Sequence, residues 1–163
     1  STLSPSSAAS DVYKRQVYAA AYSKAWNIGY SAIDVFITNP QNISFHPPSK
    51  TYLKKGSFIV HKKRLIKNVP LEICIGLKLH LDKNNICAQL ISGPEKRIRE
   101  TTDVYIVLRP GKVDKNTIAK KIYQIFAGWL QDKLDKQLAK KIIKIERLVE
   151  LIPGPSEIVK KEQ

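Results

Sequence analysis

The chain has 163 residues, 43% of them hydrophobic, which suffices for one ordinary domain or two small ones and excludes a disordered basic tail. Lysine and arginine number 28 against 14 acidic residues, and this formal net charge of +14 makes a polyanionic partner the first hypothesis. No apolar run approaches the roughly 20 residues of a membrane span and the N-terminus lacks the order of a signal peptide, so a soluble, cytoplasmic protein is expected.

Residues 1–16, "STLSPSSAASDVYKRQ", are rich in Ser and Ala without a sustained period. They read as an unordered leader, or as a segment derived from cloning, rather than as fold. The sequence contains no methionine, which suggests a piece of a longer protein. "VYAAAYSKAWNIG" then reads as one short helix with Gly29 as its stop, and "IDVFITN" as a strand ended by Pro40. "HPPSKTYLKKG" is a loop by its prolines and glycine. Strand signals return at "SFIV", "LEICIGLKLHL" and "ICAQLIS", the last two joined by the turn-forming "DKNN" into a hairpin. "GPEKRIRETTD" is a connector with room for a short helix, and "VYIVLRPG" is a strand stopped by Pro110-Gly111.

From Asp114, a candidate cap, the apolar period becomes helical through Ile118, Ile122, Phe126 and Leu130 and on to Val149. One long helix, or two meeting near Gly128, is predicted, ended by Pro153-Gly154 and followed by a short strand at "SEIV". The sum is an α+β chain of mostly antiparallel strands, with a short N-terminal helix and a long C-terminal helical region.

No catalytic pattern is present. Paired-carboxylate or two-metal chemistry needs acids converging on one pocket, yet residues 35–71 contain none and the others are interspersed with lysines. His46, His61 and His80 lack metal-ligand spacing, and there is no nucleophile elbow, P-loop or dinucleotide fingerprint. Cys74 and Cys87 read as reduced, buried structural thiols. No enzyme activity, cofactor or metal is expected.

The basic segment is the stronger signal. Lys50, Lys54, Lys55, Lys62, Lys63, Arg64 and Lys67 place seven cations within eighteen residues, with no acid among them. Such a density repels itself unless a polyanion or solvent screens it, which makes these seven the candidate nucleic-acid contacts. Tyr52 and Phe58 lie among them and could stack on bases or simply pack. The lysines of "KKIYQIFAGWLQDKLDKQLAKKIIKIERL" instead occupy a polar face opposite an apolar stripe, partly balanced by Asp132, Asp135 and Glu146. The alternative function is therefore a protein-interaction module that meets an acidic partner through this helix. Trp26 is either a stacking platform or a core anchor, and its apolar neighbours favour the core.

Three stretches in order, "SKAW", then "DVFITNPQNIS…SKTYLKKGSFIVHKKR…VPLEICIG", then "GPEKRIRETTDVYIVLRPG", resemble the C-terminal part of the NFACT proteins, which are ribosome-associated quality-control factors. The resemblance covers about residues 17–158. It implies a partial NFACT-R-like domain over 17–92, regarded as RNA-binding, and a C-terminal segment over 93–163 of the archaeal type. It further implies contact with large-subunit rRNA and tRNA, support of C-terminal tailing of stalled nascent chains, and contact with the other domains of the full-length protein; apolar surface left by the absent N-terminal half of the domain gives room for a homodimer. The family usually carries a glycine where this sequence reads "VHKKRL", and without it a tight turn with positive φ is not expected there.

Overall fold

The computed structural model describes residues 5–38, 41, 43–44, 59–60, 64–82 and 85–163. The elements in chain order are helices α1 (Pro5–Ala21) and α2 (Lys24–Ile28), strands β1 (Ala32–Ile37), β2 (Ile43–Ser44), β3 (Ile59–Val60), β4 (Arg64–Pro70), β5 (Ile73–Asp82) and β6 (Asn85–Gly93), then α3 (Glu95–Thr101), β7 (Val104–Val113), α4 (Lys115–Gln131), α5 (Lys136–Ile142), α6 (Ile145–Leu151) and β8 (Ser156–Glu162). The α+β reading holds, with every strand pair among the described residues antiparallel.

The main sheet has the order β6-β5-β7-β8. Alternation along β5 and β7 gives it two apolar faces. Ile73, Ile75 and Leu77, beside Val104, Ile106 and Leu108, join the large core with Ile118, Ile122, Phe126 and Leu130 of α4 and Leu148 of α6. Cys74, Tyr105 and Val107 turn the other way and meet Ile98 of α3. Most of these side chains are fully buried, each worth roughly 1.5–3 kcal/mol of transfer energy. Gly76 is needed for α3 to lie this close, because a Cβ there would fall 2.5 Å from Thr102 Oγ1 and 2.7 Å from Ile98 Cγ2.

The N-terminal helices are fastened to the far end of the chain. Tyr18 donates its hydroxyl to the Ser92 carbonyl, and Tyr22 donates to the Leu151 carbonyl at 2.6 Å. Buried Trp26 donates its indole N–H to the Pro155 carbonyl at 2.9 Å. The core-anchor reading of Trp26 is thus the one the packing shows. The main sheet likewise takes two strands that end by Gly93 and two that begin after it.

A second, two-stranded sheet pairs β1 with β4, from Ala32↔Pro70 to Ile37↔Arg64, and β2 pairs with β3. The β1–β4 register slips between Ile33 and Val35, opposite Asn68, which adopts φ 56 and donates its N–H to Asp34 Oδ1 at 3.0 Å. Asparagine tolerates this left-handed conformation better than most residues, so the bulge costs little.

Several expectations are corrected. Helix α1 begins at Pro5, inside the segment read as an unordered leader; proline suits a first helical turn and the run of Ala, Ser and Gln that follows can propagate it. The predicted first helix is two helices broken at Tyr22-Ser23, although Gly29 does stop the second in a left-handed conformation with φ 92. Pro110-Gly111 does not stop β7, which runs on to Val113. Its β5 pairing ends at Leu108, so the missing proline N–H falls on an unpaired edge, and Gly111 lets the backbone approach Ser156. Among the described residues, no helix is long and apolar enough to cross a membrane.

The C-terminal helical region is three helices, not one or two. Asp114 caps α4 as predicted, accepting from the Thr117 N–H. The break falls at residues 132–135 instead of Gly128, because Asp135 accepts from the Gln137 N–H and starts α5. Both thiols are free, but only Cys74 is buried; Cys87 lies on the outer part of the β5–β6 hairpin and is exposed.

Candidate nucleic-acid interface

Strand β4 carries the end of the basic segment. Arg64 is exposed and paired in register with Ile37, whereas Lys67 is exposed beside the Asn68 bulge. Lys50, Lys54, Lys55, Lys62 and Lys63 lie outside the described residues, as do Tyr52 and Phe58. The structure therefore places two of the seven candidate contacts, three positions apart on one strand. Neither is joined to an acid by an ion pair within 4 Å among the described residues.

Two features of this face were not read from the sequence. Phe36 and Leu65 are cross-strand partners, 45% and 50% exposed, so one face of this sheet presents an aromatic and an aliphatic side chain, while Arg64, next to Leu65 in the strand, projects from the other face. Beside β1, Arg15 and Gln16 of α1 line a cavity of about 280 Å³ with Val35, Phe36, Ile37 and Thr38. Arg15 belongs to the segment that reads as a leader, whose sequence shows no sustained period. The alternation of β1 was masked by the consecutive apolar residues Val35, Phe36 and Ile37. Cations with exposed apolar surface can hold phosphate while a base rests on a ring.

A second basic recess lies between α4 and β8, where Lys121 and Lys161 flank Gln124, Ile125 and Ile158 around a cavity of about 430 Å³. Elsewhere the lysines of the C-terminal helices are exposed and dispersed, in keeping with a solvated polar face. Trp129 is half-buried with the Lys133 ammonium 5.8 Å from its ring, a contact of about 0.5–1 kcal/mol at an exposed site.

One cluster has donor types that could hold a metal ion. Ligand atoms of Glu72, Cys74 and Glu95 lie within 4.8 Å of one another. Each carboxylate already has a cation: Arg109 Nε donates to Glu72 at 2.9 Å and Lys160 Nζ to Glu95 at 2.9 Å. Burial, reinforced by the two negative charges, pushes the Cys74 thiol up to about 12, so it stays protonated. The Lys160 hydrogen bond holds the Glu95 carboxyl below its ordinary range. A metal would have to displace both cations and take the thiol proton, and the cluster is better described as an ion-paired belt around the sheet.

Against this geometry the chain can be set beside known proteins. The chain is similar to part of a much longer archaeal protein. The relative in question is the archaeal Rqc2 homolog aRqcH of Methanocaldococcus jannaschii, 30% identical over 145 residues. The match takes in 88% of this chain and 19% of that protein, so the chain spans about a fifth of the relative's length. No profile of a known protein family and no solved structure matches the chain.

Proposed function

We propose that the chain is a non-catalytic, RNA-binding part of an NFACT-type ribosome quality-control factor. Its work in the cytoplasm would be to hold large-subunit rRNA and tRNA on obstructed subunits while other domains of the full-length protein support tailing of the stalled nascent chain. The observation that carries this reading is the similarity to the archaeal Rqc2 homolog along almost the whole chain. Within it, residues 17–92 would be the end of an NFACT-R-like domain and 93–163 the C-terminal segment that follows.

The acid-free basic segment supplies the contact. Arg64 and Lys67 stand on β4 as its described members, and Lys50, Lys54, Lys55, Lys62 and Lys63 add their charge from the neighbouring sequence. An arginine fork can clasp a phosphate or stack on a base, whereas lysine brings a compact charge.

The test is co-sedimentation with purified large ribosomal subunits, together with an RNA titration over a range of salt. Neutralising about five phosphates gives a log-log slope of roughly −3.5 to −4.5. Lys62→Glu with Arg64→Glu should weaken RNA binding far more than Lys140→Glu with Lys144→Glu at equal folded stability. An affinity indifferent to salt, or a larger loss from the helix pair, would remove this segment as the contact.

A further inference from the structure

Strand β6 is an outer strand of the main sheet among the described residues, and its sequence is unusual for one. Its nine residues, "NICAQLISG", contain no charge and no proline in a chain with 42 charged side chains, 28 basic and 14 acidic. Its register with β5 is unbroken from Cys74↔Gly93 to Asp82↔Asn85, with no bulge to bend it away. The opposite outer strand, β8, is protected in the usual manner by Glu157, Lys160, Lys161 and Glu162 and by two register shifts. Soluble proteins blunt an edge with charge, proline or bulges because a bare edge recruits another strand. Among the described residues β6 carries none of these devices; Tyr18 of α1 meets the Ser92 carbonyl at its end, and residues 86–91 have no such cap.

A second observation falls on the same residues. Ala88, Gln89 and Leu90 of β6 form one wall of a cleft of about 370 Å³, with Leu77 of β5 beside them and Ile142, Ile143, Lys144 and Arg147 of the α5–α6 junction opposite. The apolar side chains line it, and the two cations are exposed at its margin. Arg147 also bonds Glu150 at 2.9 Å, an exposed pair of little strength that an incoming carboxylate can replace. A cleft between an outer strand and a helix is the geometry in which extended peptides bind by strand addition, the ladder supplying affinity and the cleft selecting side chains.

We propose that β6 and this cleft dock an extended, acidic segment of a protein partner. The segment adds a strand beside β6, places an apolar side chain between Leu90 and Ile143, and sets its carboxylates against Lys144 and Arg147. Charge decides the occupant. A second copy of the chain would bring another Lys144 and Arg147 and a further +14 to the same place. A nucleic acid offers no amide ladder to a strand edge and no aliphatic group for the cleft.

The test uses the whole chain and a short fluorescein-labelled peptide alternating Leu and Glu, beside a Leu–Lys peptide and a Leu–Glu peptide with alternate amides N-methylated. The Leu–Glu peptide alone should bind, and amides within residues 86–91 should gain protection from hydrogen exchange. Lys144→Glu with Arg147→Glu, and separately the cleft-filling Ala88→Trp, should each weaken the peptide at least about tenfold, with melting unchanged for the charge pair. Equal binding of the N-methylated peptide would refute strand addition, and full affinity in the charge-pair variant would refute the acidic partner. Protection of 86–91 that grows with protein concentration alone would assign the edge to a second copy, and protection by RNA alone would assign it to nucleic acid; either result overturns the proposal.

Discussion

The Trp26 indole N–H and the Pro155 carbonyl oxygen meet at 2.9 Å, and the Ser156 hydroxyl oxygen lies 3.2 Å from the same nitrogen. A large aromatic ring, 1% exposed, is thereby held between the N-terminal helices and the turn that opens β8. Ser156 is itself fully buried and donates to the Gly154 carbonyl, so each polar atom in this contact has a partner.

Removal of that ring should be costly. Trp26→Ala is expected to lose roughly 3–5 kcal/mol of stability, the usual range for a truncated core aromatic. Trp26→Phe keeps most of the apolar area and removes one donor from the Pro155 carbonyl, which retains the Gly111 N–H at 3.1 Å, so the expected cost is about 0.5–1.5 kcal/mol. Chemical denaturation measures both. RNA titrated below the melting transition should bind Trp26→Phe with unchanged affinity, because the ring is enclosed.

Two glycines should respond to alanine with opposite signs. Gly76→Ala puts a methyl 2.5 Å from Thr102 Oγ1 and 2.6 Å from Thr102 Cγ2, so α3 must shift, at roughly 1–3 kcal/mol. Gly128 is exposed inside α4, and a Cβ there meets nothing within 4 Å. Gly128→Ala is expected to add about 0.4–1 kcal/mol by restricting the unfolded chain. Denaturant midpoints of the two variants against the parent decide it.

The thiols should react at different stages. A thiol reagent at mildly alkaline pH is expected to label Cys87 at once in the folded protein, since that side chain is exposed. Cys74 is completely buried and its thiol is pushed up to about 12, so it should label only on unfolding. Mass spectrometry of the native and denatured reactions distinguishes the sites.

Acid should weaken the contact between α3 and β8. The Lys160 ammonium, with a smaller contribution from the Tyr105 hydroxyl, lowers the Glu95 carboxyl below its ordinary 4.5. A carboxyl depressed in the folded state contributes stability that is fully present above its unfolded value and is lost as pH falls through the folded one. The denaturation midpoint should therefore drop on the acid side of about pH 4.5, and Glu95→Gln should flatten that limb. A parallel acid limb in the variant would show that other carboxylates dominate.

What could be read from the sequence follows from how cleanly each period is expressed. The β5–β6 hairpin was legible because two β-branched runs flank a polar turn, and the start of α4 because Asp114 precedes a regular helical stripe. Strand β4 was not. Arg64 and Lys67 interrupt its apolar residues, and the bulge at Asn68 shifts the alternation by one, so no strand period shows over residues 64–70. Exposure of Cys87 is equally a matter of reach, because the hairpin extends past the helices that cover its base and leaves Leu81 and Ile86 exposed as well. The basic segment was visible as charge, while the apolar pair Phe36 and Leu65, 29 positions apart in the sequence, needed the register of the two strands to be seen.

The fastening of Trp26 to Pro155 also sets a clock on synthesis. These partners are 129 residues apart, and at common elongation rates that interval takes on the order of ten seconds. Throughout it, α1 and α2 emerge without the carbonyls of Leu151 and Pro155 that receive Tyr22 and Trp26, and β7 emerges without β8. The nascent chain must keep its apolar helix faces and an unguarded strand soluble until β8 leaves the tunnel. Its own high positive charge, repelling other copies, helps to do so.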